Sequence, residues 1–183
     1  TGCSKVLDKQ NLAAVNSEMV WSNAAVAEAY VNNIYAKLMP DDFIVPRYTD
    51  EAMGVNTDYN SALSAFLKGT LTADSYSDWP YDVIRIINVF LAGIDKATFD
   101  DATKRSLKGQ ALFWRAWAYF RMVKAYGGVP LILAPEAITD SVYVPRNKTS
   151  ECIAQIEKDL DDAIPLLEDA STVGRIDKCA AKS

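Results

Sequence analysis

No histidine occurs among the 183 residues. That absence removes Ser-His-Asp and Cys-His nucleophilic systems, histidine-ligated zinc, and the usual general base near neutral pH. The carboxylates that remain for proton transfer include three adjacent pairs: Asp41-Asp42, Asp100-Asp101 and Asp161-Asp162. Asp100-Asp101 reads as a helix cap and Asp161-Asp162 as a solvated helix face. Nothing places two carboxylates across a cleft, so a glycosidase acid/base pair is not supported. The three cysteines, Cys3, Cys152 and Cys179, lack CxxC spacing, and no zinc site is expected. Whether Cys152 and Cys179 pair is open at this stage. No catalytic residue, metal site or cofactor is expected.

The composition fits a chain with a sizeable core. Half the residues are hydrophobic, 23% are charged and the net charge is -5. The length corresponds to about one domain. A nucleic-acid binder normally carries a clustered basic face, and none is visible. The longest apolar stretch, Val83 to Ile94, is interrupted by Arg85 and Asn88. It falls short of the ~20 residues needed to span a bilayer. The chain starts Thr1-Gly2-Cys3-Ser4, which resembles the end of a bacterial lipoprotein signal. Cleavage before Cys3 would leave its thiol for a diacylglyceryl group, anchoring the chain without spanning the membrane. At the other end, residues 174–183 read as a loop and the first turns of a helix, with Asp177 as cap and no stop signal. The expectation is an N-terminal portion of something longer.

The elements that must position any site are helical. A first helix is expected from Ser22, as N-cap, to Leu38. Its stripe is Ala27, Tyr30, Val31, Ile34, Tyr35 and Leu38, and Pro40 ends it. A second begins near Trp79-Pro80 and runs to about Lys96, burying Val83, Ile84, Ile87, Phe90, Leu91 and Ile94. The third and longest is capped by Asp100 and stopped by Gly127-Gly128 near Tyr126. Its segment from Ala111 to Val123 is apolar nearly all round, so it is expected between neighbours. Arg115 lies in that segment and must bond carbonyls or a carboxylate. Trp114, Trp117, Tyr30 and Tyr35 are assigned to the core. A fourth helix starts near Thr149, with Ile153, Ile156, Leu160, Ala163 and Ile164 inward, until Pro165 ends or kinks it. Val129 to Leu133 reads as a short extended segment. The fold class is all-α: stacked, tetratricopeptide-like helical hairpins with long loops.

Several segments, in order, resemble the SusD/RagB family of outer-membrane nutrient-binding lipoproteins. Cys3 followed by Leu7-Asp8 resembles the family's start, and Thr49-Asp50-Glu51 its short acidic motif. Tyr81-x-x-Ile84-x-x-x-Asn88 and Phe113-Trp114-Arg115-Ala116-Trp117-Ala118-Tyr119-Phe120 resemble two of its helices. Tyr126-Gly127-Gly128-Val129-Pro130-Leu131, Val144-Pro145-Arg146, Asp159-Leu160 with Ala163, and Gly174-Arg175-Ile176 with Ala180-Ala181 complete the series.

The resemblance implies a SusD-like scaffold divided into a lipid-anchored segment, residues 1–21, and a tetratricopeptide-like region, residues 22–183. It implies a non-enzymatic lipoprotein at the bacterial outer membrane, exposed on the cell surface and attached through Cys3. Such a protein captures oligosaccharides, or in some branches peptides, and passes them to a SusC-like TonB-dependent transporter. The alternative function is a helical-repeat adaptor with only a protein partner. Sugar capture needs flat aromatic faces with polar groups beside them. In the family, part of that surface follows the Thr-Asp-Glu motif. The candidate ligand-binding residues here are therefore Asn56, Asp58 and Tyr59, with Tyr48 and Trp79 flanking the loop region. No tryptophan lies in the segment Ala52–Asn60, which argues against starch-like helical glycans.

Overall fold

The computed structural model describes residues 17–39, 69, 77–135, 143–169 and 173–183. Among these the elements are α1 (Ser17–Ser22), α2 (Ala24–Leu38), α3 (Tyr81–Gly93), α4 (Asp101–Tyr126), α5 (Thr149–Ala163) and α6 (Lys178–Lys182). Short 3-10 turns, Ile94–Lys96 and Ile164–Leu166, extend α3 and α5. No strand occurs among the described residues, and the all-α expectation is borne out.

The helix boundaries follow local chemistry. α2 starts one residue later than expected, because Asn23 is its N-cap and accepts a hydrogen bond from the Ala25 amide at 3.0 Å. Ser22 instead closes α1, its hydroxyl turned back on the Met19 carbonyl. Met39 leaves the helical region just before Pro40, as the proline ring requires of its predecessor. Asp100 caps α4 by accepting from the Thr103 amide at 2.8 Å, a bond that holds its carboxyl below the ordinary value. Gly127 ends α4 at φ 73°, a conformation that side chains with a Cβ resist. Asp177 caps α6 through the Ala180 amide. α5 gives way to the 3-10 turn at Ile164, next to Pro165.

The helices bury the expected stripes. α2 places Ala27, Val31, Ile34, Tyr35 and Leu38 in the core; α3 places Val83, Ile84, Ile87 and Phe90 there. α4 is the axis: Leu107, Ala111, Trp114, Ala118, Tyr119 and Met122 face the main cluster, while Leu112 joins a smaller one with Ala163, Leu167 and Ala181. On α5, Ile156 and Ala163 are buried as expected, and the departure is in the first turn. Cys152 is fully buried and Ile153 is 44% exposed. The Cys152 thiol donates to the Val129 carbonyl, so this small side chain fits where the Gly128-Val129 backbone crowds the helix. Cys152 and Cys179 are both free. α1 is attached through Trp21, which packs 5.7 Å from Phe90 and lies over Gly93. A Cβ at Gly93 would stand 2.1 Å from the Trp21 ring.

Arg115 finds the partners its burial demands. Its Nε and Nη2 each donate to Asp159 at 2.7 Å. Nη1 donates to the Asn88 side-chain oxygen, Oδ1, at 3.1 Å and to the Leu133 backbone carbonyl at 3.3 Å. Asn88 in turn donates to the Ile132 carbonyl at 2.8 Å. Tyr119 closes both groups of Ile132, accepting from its amide and donating to its carbonyl. One guanidinium thus joins α3, α4, α5 and the 131–134 segment.

Two outcomes are expected. Removing one member of a buried pair strands the other charge and typically costs about 3–5 kcal/mol. Asp159→Ala should therefore lower the urea midpoint by that free energy, while the double change Arg115→Met with Asp159→Leu should recover most of it. Gly93→Ala should cost roughly 1–3 kcal/mol by overpacking and displace Trp21, seen as a change in near-ultraviolet circular dichroism.

Candidate functional site

The approach to α3 carries an aromatic shelf. Trp79 precedes the helix, and Tyr81 is its first residue. The Trp79 ring lies parallel to the ring of Tyr126, the last residue of α4, with centroids 4.1 Å apart and planes 8° from parallel. The Tyr81 ring is also near-parallel to Trp79, at 6.2 Å and 10°. Stacking of this kind is worth about 0.5–1.5 kcal/mol per pair beyond burial. Trp79 nevertheless remains 42% exposed. The indole is thus packed against tyrosine rings while the residue stays open to solvent.

Polar bonds fix the shelf. The Asp78 amide donates to the Tyr126 hydroxyl at 2.7 Å. Arg121, more than one turn earlier on α4, donates from Nε and Nη2 to the two Asp78 carboxylate oxygens at 3.0 and 2.8 Å. This two-bond fork has tighter directional demands than a point charge would. The Tyr81 hydroxyl donates to the Pro130 carbonyl at 2.9 Å. Burial pushes its pKa up to about 12, so it is a neutral donor at any physiological pH. Flat, partly solvated rings with polar groups beside them are the surface on which sugar rings stack.

Of the expected ligand residues, only Trp79 lies among the described ones. Tyr48, Asn56, Asp58 and Tyr59 fall outside them, as does Cys3. Trp79 does pack at the helix start, but that packing leaves it exposed rather than burying it. Tyr81, Tyr126, Asp78 and Arg121 were not singled out as ligand-site residues from the sequence. Tyr126 immediately before Gly127-Gly128 was the available signal, since a side chain at a helix end sits beside the loops. Among the aromatics assigned to the core, Trp114 and Tyr35 are buried, while Trp117 and Tyr30 are half-buried.

Apart from the shelf, a concavity of about 260 Å³ lies between α2, α4 and the segment before α6. Glu28, Thr103, Ser106, Gln110, Glu168 and Arg175 line it. Its deepest polar group is already engaged: Gln110 accepts from the Tyr35 hydroxyl at 2.8 Å and donates to Ser106 at 3.1 Å. Arg175 lies over the Tyr35 ring at 5.3 Å. This arrangement locks the C-terminal segment onto α2 and α4, reinforced by the Ile176 amide donating to Tyr35. Among the described residues, no group of three histidine, cysteine, aspartate or glutamate side chains is arranged for a metal ion. None of the described helices is long and apolar enough to cross a membrane.

Known proteins place this geometry in context. A SusD-like protein of Bacteroides ovatus is 30% identical over 105 residues, 56% of this chain and 19% of its own length. The crystal structure of a SusD-like protein from Bacteroides fragilis superposes with a TM-score of 0.79 at 28% identity, over 94% of this chain and 36% of that one. A laminarin-binding SusD-like protein shares the fold, with a TM-score of 0.75 at 23% identity, over 88% of this chain and 39% of that one. The chain therefore spans about a fifth to two-fifths of the length of these relatives. The sequence profile of a SusD-like family, described as starch-binding and associating with the outer membrane, matches residues 5–183. By that match, and in line with the ordered motifs of its sequence, the chain belongs to the SusD-like family.

Proposed function

We propose that this chain is part of a cell-surface lipoprotein that captures oligosaccharides and delivers them to a SusC-like TonB-dependent transporter of the outer membrane. Membership of a starch-binding, outer-membrane-associated family supports it. The observation that carries it to particular residues is the half-exposed Trp79, stacked on Tyr126 and presented to solvent. In this reading Trp79 supplies a stacking face for a pyranose ring. Tyr48, Asn56, Asp58 and Tyr59 add a second aromatic pair and hydrogen-bonding groups. Residues 1–21 serve as the anchored segment, acylated at Cys3, and residues 22–183 as the scaffold. The protein binds and hands over its ligand without changing it chemically.

The test uses the full-length protein and calorimetric titration with laminarin, maltoheptaose and a mixed-sequence oligopeptide. Binding of a glycan is expected, and Trp79→Ala should weaken it roughly tenfold, the equivalent of about 1.4 kcal/mol. Peptide binding without glycan binding would replace the substrate class. A protein that purifies with a barrel yet binds none of these would be the adaptor.

The anchor is tested separately. Cys3→Ala should release the protein from the membrane fraction. A variant that remains membrane-bound and surface-exposed would overturn the lipid attachment.

A further inference from the structure

We propose that Arg121 and Asp78 are positioning residues for Trp79, forming a clamp that sets the indole before any ligand arrives. The proposal rests on the reading of Trp79 as a glycan contact and adds how that contact is held. A half-exposed tryptophan in a loop has freedom about χ1 and χ2, and ordering it on binding costs free energy. Here two attachments fix the backbone that carries the indole, and stacking on Tyr126 orients the ring. Asp78, the residue directly before Trp79, is gripped by both Nε and Nη2 of Arg121. The backbone amide of the same Asp78 donates to Tyr126, whose ring is the surface beneath the indole. Pro80 directly follows and fixes its own φ.

The clamp is more sheltered than an ordinary surface ion pair. The Asp78 side chain is 14% exposed and that of Arg121 is 29% exposed, whereas the Lys37–Asp82 pair on the neighbouring surface is 40% and 69% exposed. Exposed pairs of the latter kind hold little. A two-bond pair, partly removed from water, restrains geometry as well as charge. Tyr126 and Arg121 both belong to α4, so the indole is referenced to the longest of the described helices rather than to its own loop.

The clamp is read without ligand, on this chain labelled with 5-fluorotryptophan. Its four tryptophans, Trp21, Trp79, Trp114 and Trp117, give separate fluorine resonances, and the Trp79 signal is assigned by its loss in Trp79→Phe. In Arg121→Met the Trp79 resonance should move toward that of the free amino acid as it leaves the Tyr126 ring, and its quenching by acrylamide should rise. The other three resonances should stay close to the parent, and the urea midpoint should fall less than in Asp159→Ala, because the Asp78 carboxylate keeps some access to water. Asp78→Asn retains side-chain size and weakens the same fork, so it should shift Trp79 in the same direction, and it decides the matter if Arg121→Met does not fold. An unmoved Trp79 resonance in a folded variant overturns the proposal, as does equal displacement of all four. Where the full-length protein binds laminarin, Arg121→Met should weaken binding in the parent but add nothing in Trp79→Ala. Additive losses would assign Arg121 a direct contact instead. Because the resonance experiment involves no ligand, failure of the glycan reading and failure of the clamp are separately visible.

Discussion

A guanidinium in the middle of an apolar helical segment is tolerated only if neighbouring elements satisfy its donors. Arg115 sits at that point on α4, and the surrounding fold is arranged around its donors. α5 must cross α4 so that Asp159 meets the fork squarely. α3 must bring Asn88 to the third nitrogen. The 131–134 segment must pass close enough to offer the carbonyls of Ile132 and Leu133. Replacing such a pair with apolar groups is often neutral in energy. What the pair contributes here is register: three helices and one irregular segment share a single set of distances.

The same helix carries the constraint outward. Tyr119, one turn after Arg115, pins Ile132 on both of its backbone groups. Arg121 and Tyr126 then hold the approach to α3 from the end of α4. The aromatic shelf is thus an extension of the core rather than an ornament on a loop. For the capture role proposed above, a preset stacking face would lower the ordering cost of binding. Trp79 is 42% exposed, whereas the other three indoles of this chain are buried or half-buried.

Much of the scaffold was legible residue by residue. Asp100, Gly127, Asp177 and Pro165 act where their chemistry says they should, because caps and breakers depend on neighbours within one turn. The two departures have different causes, one local and one tertiary. Asn23 rather than Ser22 caps α2, because the Ser22 hydroxyl is turned back on α1 while the Asn23 side chain accepts from the Ala25 amide. Cys152 rather than Ile153 turns inward because the Val129 backbone lies against α5, and no periodicity within α5 reveals that neighbour. The site was less legible. Trp79 was visible as an aromatic near a helix start, but its choice between packing and exposure depended on Tyr126, 47 positions away in the chain.

The sequence by itself determined the helical elements, their caps and stops, the need of Arg115 for a buried partner, and the family through the order of its motifs. All of these rest on interactions spanning a few residues or on the linear succession of short patterns. The tertiary structure alone decided that the partner is Asp159, that Cys152 and Cys179 stay apart, and that Asp78 and Arg121 come together beneath an exposed indole. Those outcomes join residues separated by 43 or 44 positions in the two ion pairs. They follow from the angles at which helices cross and the lengths of the segments between them. A helical period of 3.6 residues says which face of a helix is buried, but not which residue of another helix it will meet.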